Sequence, residues 1–222
     1  SQREVIYKKR RHALLGERIG VDIANNMYDV CENLVEEHKE ANNLEAFRLD
    51  VLKYLAVDFD IKEEEFQKSS ANDLTEKLYK EVRESFSRKT ESIARQAFPV
   101  IKNVFEQRGD MFKNIVVPFT DGKRAYNVVT NLEKAYKTEG EELIRAYEKS
   151  IMLAHIDDAW KEHLREMDDL KQSVQNATYE QKDPLLIYKF ESFNLFKVMV
   201  DKINKSVVST LMKGQIPFEA PE

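Results

Sequence analysis

Two apolar stripes of helical period, separated by a short polar stretch, constrain this chain more than any other feature. Leu153, Ile156, Trp160, Leu164, Met167, Leu170 and Val174 recur at steps of three or four, and Phe193, Phe196, Val200, Ile203, Val207 and Leu211 repeat the pattern. Such steps put side chains on one face of a helix, whereas a half-buried strand needs strict alternation. The simplest structure is a long antiparallel helical hairpin. Its first arm runs from Gly140 to Val174, its tip lies near 175–183, and its second arm runs from about Pro184 to Met212. At 1.5 Å per residue the arms span roughly 50 and 40 Å. Asp183 is placed to cap the second arm, and Pro184 suits its first turn.

The chain before the hairpin reads as shorter helices. Ser1 to about Gly16 is the end of a helix, with Val5, Ile6, His12, Leu14 and Leu15 as its apolar content. Its basic run, Lys8 to Arg11, reads as a solvated face, with an anionic partner as the alternative. Gly16 and Gly20 mark a boundary, and Asp22 is the expected cap of the next helix, which carries Ile23, Met27, Val30, Leu34 and His38. Asn42 and Asn43 interrupt it before a short helix with Phe47, Val51, Leu52 and Leu55. After a connection at 57–61 and a helical turn at 63–66, Asp73 is the expected cap of a longer helix, with Leu74, Leu78, Val82, Phe86, Ile93 and Ala97 inside. Pro99 is expected to end or bend that helix, and the helical habit to lapse from Val100 to Val129. Asn114–Phe119 and Ala125–Val129, joined through Asp121-Gly122, predict a β-hairpin, with Pro118 on an edge. Gly140 marks either a bend or a costly position within a continuous helix.

Composition enters where function is at stake. The 222 residues carry 35 Lys and Arg against 40 Asp and Glu, a net charge of -5 that argues against nucleic-acid binding. One cysteine, Cys31, excludes an internal disulfide and fits a reducing, cytosolic setting. The chain starts at Ser1 without an initiator Met and is helical by Val5, which reads as a fragment of a longer protein. Phosphate chemistry would call for a GxxxxGK loop, and the sequence has none. His12, His38, His155 and His163 lack zinc-ligand spacing. His163 reads as an ordinary, partly exposed helix residue, and Cys31 and His38 as core or subsurface residues. Asp157-Asp158 and Asp168-Asp169 fit a solvated helix face better than acid–base work. Trp160 reads as a packing residue. Pattern alone leaves Tyr179 either tucked against the hairpin or held out as a contact residue.

An ordered series of residues then carries a resemblance. It comprises Leu153 to Asp157, Trp160-Lys161-Glu162-His163-Leu164, Met167-Asp168, Tyr179 with Gln181-Lys182-Asp183-Pro184, Tyr188-Lys189, Glu191-Ser192-Phe193 and Ser209-Thr210-Leu211. Gln2 to Tyr7, with Arg10-Arg11 and Leu14-Leu15, adds to it. Together they resemble the bacterial preprotein translocase motor ATPases, the SecA family. The resemblance implies a mainly α fold. Residues 1–16 would end a long scaffold helix, 17–137 would form an inserted helical wing carrying the β-hairpin near 113–129, 138–213 would form the scaffold's two-helix finger, and 214–222 a tail.

The function so implied is non-catalytic. The fragment would engage a SecY-type channel and an unfolded preprotein at the fingertip, through Tyr179, Glu180, Gln181 and Lys182, and couple this to nucleotide-binding domains elsewhere in the parent. Trp160, Lys161 and His163 would belong to the arm that restrains the ATPase. No cofactor is implied for the fragment; ATP with Mg belongs to the parent, and zinc to the parent's tail. The implied setting is the bacterial cytoplasm and the cytoplasmic face of the inner membrane, peripherally bound, with a homodimer of the parent left open. The tip departs from the family, which commonly has a basic residue and a Gly before the tyrosine where this chain has Gln175-Asn176-Ala177-Thr178. A stand-alone helical adaptor binding through the tip is the rival, and an enzyme with a dispersed helical site is a third reading.

Overall fold

The computed structural model describes residues 1–176 and 183–217. The elements run α1 (Gln2–Leu15), α2 (Ile19–Ala41), α3 (Leu44–Leu55), α4 (Glu63–Lys68), α5 (Ala71–Arg108), β1 (Asn114–Thr120), β2 (Ala125–Asn131), α6 (Leu132–Lys137), α7 (Glu141–Asn176) and α8 (Pro184–Lys213). The chain is mainly α, and its strands form one antiparallel pair, Asn114 opposite Asn131 through Thr120 opposite Ala125.

Residues with special backbone geometry set most boundaries. Gly16 (φ 68), Asn42 (φ 49) and Ala56 (φ 51) close α1, α2 and α3 in the left-handed conformation. Gly140 separates α6 from α7 at φ 94, and a Cβ there would meet the Ala94 carbonyl oxygen at 3.0 Å. The bend reading of Gly140 is therefore the right one: a positive φ and a close helix neighbour both demand glycine. Asp183 caps α8 as expected, its side chain accepting from the Leu185 amide at 3.0 Å.

Other boundaries differ from expectation. Gly20 lies within the first turn of α2, and Asp22 is a first-turn acid there, with Arg18 at the cap position. Ser70, not Asp73, caps α5; its hydroxyl accepts from the Asp73 amide at 3.0 Å. Pro99 neither ends nor breaks α5, which continues to Arg108. Pro99 and Arg95, whose carbonyl loses its amide donor, both lie on the exposed side of the helix. Beyond it Ile101 is buried, and Phe105 stacks on Tyr136 of α6 with ring centroids 4.3 Å apart. Tertiary packing outweighs one missing hydrogen bond.

A single core runs from Ile6 of α1, through α2, α3 and α5, to Leu211 of α8. Helices α2, α3 and α5 therefore share their apolar mass with the base of the α7–α8 hairpin. In α1 only Ile6 and Ala13 are buried; Val5, Leu14 and Leu15, expected as apolar content, are exposed. Cys31 is fully buried, which pushes its thiol up to about 12.

Candidate functional site: the helical hairpin

α7 and α8 pair antiparallel, and their 36 and 30 residues give arms of roughly 54 and 45 Å at 1.5 Å per residue. Burial divides them into a root and a projecting half. Leu143, Tyr147, Ile151, Ile156, Ile203, Val207 and Leu211 are all buried at the root. From Leu164 to Asn176 only Val174 is buried, and from Asp183 to Glu191 no residue is. The 13 residues between His163 and Asn176 carry the first arm about 20 Å beyond its last buried anchor near α1.

The β-hairpin braces the root. Phe119 stacks on Tyr147 at 4.4 Å, with ring planes 10° apart. The Tyr147 hydroxyl donates towards the carbonyls of Thr210 and Leu211, 3.1 and 3.2 Å away, at the end of α8. The Thr210 carbonyl also accepts from the Gly214 amide at 2.7 Å, and the Leu211 carbonyl lies in the last turn, where α-helical partners run out. His155 bridges the Tyr126 hydroxyl at 3.2 Å and Thr210 Oγ1 at 2.9 Å. Arg124 pairs with Asp158 at 2.6 Å, and Arg10 with Asp157 at 2.8 Å. Asp157 and Asp158 thus sit in separate ion pairs, on α1 and on the β-hairpin, and do not form a carboxylate dyad.

Where the arms leave the body, α1, α7 and α8 meet at one polar node. His163 Nε2 lies 2.9 Å from Gln2 Oε1, and Gln2 Nε2 donates to the Ser192 carbonyl at 3.1 Å. The second bond fixes the amide: its NH₂ faces Ser192, so its oxygen faces His163. His163 must then carry its proton on Nε2, which leaves the buried Nδ1 without a partner. The ring stacks on Trp160 at 5.5 Å and meets Phe196 edge-on at 5.9 Å. Desolvation lowers the His163 pKa below its ordinary value, more strongly than the Glu166 charge raises it. His163 is 1% exposed, which corrects the expectation of a partly exposed residue. Helical spacing alone could not reveal that α1 closes over this face.

Of the residues expected in the arm, Trp160 and His163 are brought together and Lys161 is not; it lies exposed outside the node. Tyr179, Glu180, Gln181 and Lys182 lie outside the described residues. Phe193, expected in the buried stripe of α8, is 64% exposed. With Leu186 and Phe190 it forms an exposed apolar row at steps of four and three, next to Leu185. The signal was present in the sequence, since α8 carries apolar residues on more than one face.

No helix among the described residues is long and apolar enough to cross a membrane. One group, Glu37, His38 and Asp50, brings three metal-type donors within 4.8 Å of one another. His38 Nε2 already lies 2.8 Å from Asp50 Oδ2, and Glu37 is exposed, so the arrangement is accounted for as a histidine–carboxylate pair.

Comparison with known proteins matches residues 1–215 to the family described as SecA Wing and Scaffold domain. The chain is similar to the protein translocase subunit SecA of Phocaeicola vulgatus, 52% identical over 221 residues, covering 100% of this chain and 20% of that protein. It is 54% identical over 221 residues to the Bacteroides thetaiotaomicron subunit of the same name, covering 99% of this chain and 20% of the relative. For the Flavobacterium psychrophilum subunit the figures are 53% over 217 residues, 98% and 19%. The chain thus spans about a fifth of the length of these relatives.

Proposed function

The chain belongs to the SecA wing and scaffold family, and from that premise we propose that it is the mechanical, non-catalytic part of a protein-translocating ATPase. Residues 1–16 and 138–213 act as scaffold, and 17–137 as the wing. The projecting half of the α7–α8 hairpin is a two-helix finger whose tip, at Tyr179 with Glu180, Gln181 and Lys182, engages a channel and an unfolded polypeptide. The parent supplies nucleotide hydrolysis and works at the cytoplasmic face of a membrane.

One observation carries this reading. The hairpin is densely anchored at its root, and beyond His163 and Ser192 only Val174 is buried among the described residues, which is the mechanical form of a lever. A stiff lever passes a contact at its tip to its root as a rigid shift. The node of Gln2, Trp160, His163 and Ser192 sits where such a shift would first meet the body. It therefore serves as the point at which tip contact is transmitted towards the motor domains. A tyrosine suits a tip that must grip polypeptide of no fixed sequence, because it offers large contact area and a hydroxyl at low entropic cost.

The test is transport of a preprotein into membrane vesicles by the full-length protein carrying Tyr179→Ala. A tenfold or greater loss is expected, with thermal unfolding of the 222-residue chain unchanged. Full transport by the variant would refute the fingertip role.

A further inference from the structure

Where α1 gives way to α2, the end of β2, α6 and the first turns of α7 close round a pocket of about 350 Å³. Lys134, Arg145 and Lys149 line it against one carboxylate, Glu142, which lies 3.9 Å from Arg145. In a chain of net charge -5 this is a local reversal of sign. Neither lysine has an ion-pair partner among the described residues, and Lys149 is half-buried. Thr130 lines the pocket too. It shares the inward face of β2 with Tyr126 and Val128, it is only 3% exposed, and its hydroxyl has no hydrogen-bond partner among the described residues. A buried hydroxyl left unpaired is costly, so its presence points to a group that satisfies it. The third wall is Ile19, the first residue of the 23-residue helix α2. Arg18 stands at the cap position there without a side-chain hydrogen bond, so α2 opens with its first-turn amides uncapped.

From these features we infer that the pocket is a binding site for a phosphate group. Each wall supplies what such a ligand needs. Lys134, Arg145 and Lys149 offset its charge, and an anion between them relieves their mutual repulsion. The Thr130 hydroxyl donates to one of its oxygens. The open turn of α2 adds unsatisfied amides and the positive end of the helix dipole, the combination that favours phosphate at helix N-termini. Leu15 joins this pocket to a second recess lined by Lys8, Arg11 and Arg18. The basic run of α1 thus extends the same positive field, which draws anions towards the corner. A ligand held there ties α2 and β2 to α7 through charge, at the point where α1 ends at Gly16. This site does not depend on the fingertip reading, since none of its residues lies on the projecting half of the hairpin.

The test is titration of the 222-residue chain with inorganic phosphate and, separately, with glycerol 3-phosphate, followed by amide chemical shifts at an ionic strength held constant with chloride. Saturable shifts are expected at Ile19, Gly20, Val21 and Thr130. Lys149→Gln should weaken binding at least tenfold, by removing the half-buried charge. Thr130→Val keeps the side chain's shape, so the chain folds, and should weaken binding at least threefold by removing the hydroxyl. Saturation by inorganic phosphate identifies a free ion as sufficient, and saturation by glycerol 3-phosphate alone identifies an esterified phosphate; either supports the site if both variants weaken it. Saturation by neither would overturn the inference. So would shifts centred on Lys8 and Arg11 that Lys149→Gln and Thr130→Val leave unchanged, because binding would then belong to the exposed basic run. The readout is binding and not transport, so failure here is distinct from failure of the fingertip role.

Discussion

Glu148 supplies the sharpest test of how the lever's root is held. It lies on α7, and burial pushes its carboxyl from 4.5 up to about 7, against the smaller opposing pull of Arg83 on α5 and Arg145. The folded chain therefore binds this proton more tightly than the unfolded chain does. Stability from the group is full below pH 4.5 and is lost as pH rises towards 7. At about 1.4 kcal/mol per pH unit, the displacement amounts to roughly 3.5 kcal/mol. Glu148→Gln mimics the protonated form and does not titrate. The variant should match the parent at pH 4.5 to within about 0.5 kcal/mol and exceed it by roughly 3 kcal/mol at pH 8. Urea unfolding of both chains at pH 4.5, 6, 7 and 8 measures the gap, and all other titrating groups cancel in the difference. A gap that does not change with pH would refute the reasoning.

Further outcomes follow from named contacts. Gly214→Ala places a Cβ 1.8 Å from the Tyr147 hydroxyl, which two carbonyls hold in place, and should cost about 2–4 kcal/mol in urea unfolding. Tyr147→Phe alone should cost about 1–2 kcal/mol, and the double variant less than the sum, because the two changes share one contact. Asp183→Ala removes the cap of α8 and should cost about 1 kcal/mol, with faster exchange at the Leu185 amide. His163 has a lowered pKa in the folded chain, so its contribution to stability falls as pH drops below 6.5, where the unfolded chain takes up the proton first. Fluorescence of the one tryptophan, stacked on His163, should change over that acid range in the parent and not in His163→Gln.

What the sequence made legible was mostly local or periodic. The buried faces of α2 and α5, the root of the hairpin, Asp183 at its cap and the β-hairpin around Gly122 all follow from spacing and turn chemistry. Misreadings arose where distant elements decide. Pro99 stays inside a helix because Ile101 and Phe105 are packed. His163 is buried because Gln2, 161 residues away, reaches across to it. Asp73 and Asp22 are good cap residues on composition, yet Ser70 and Arg18 stand where the backbone turns. The bracing of the root by Phe119, Tyr126 and Arg124 has no periodic signature, since it joins a strand pair to a helix through single contacts. Phe193 is on the second stripe by spacing, but at this level of α8 the neighbouring Ser192 is the residue turned into the body, so Phe193, about 100° further round the helix, falls on the exposed face.

The most direct measurement is a photo-crosslinking residue in place of Tyr179 in the full-length protein, illuminated while a preprotein is stalled partway through a membrane channel. A lever working at its tip predicts adducts with the moving polypeptide or the channel mouth, and none from the same probe in place of Lys161, which is exposed nearer the root. Adducts at residue 179 confined to the protein's own domains during active transport would contradict the fingertip role.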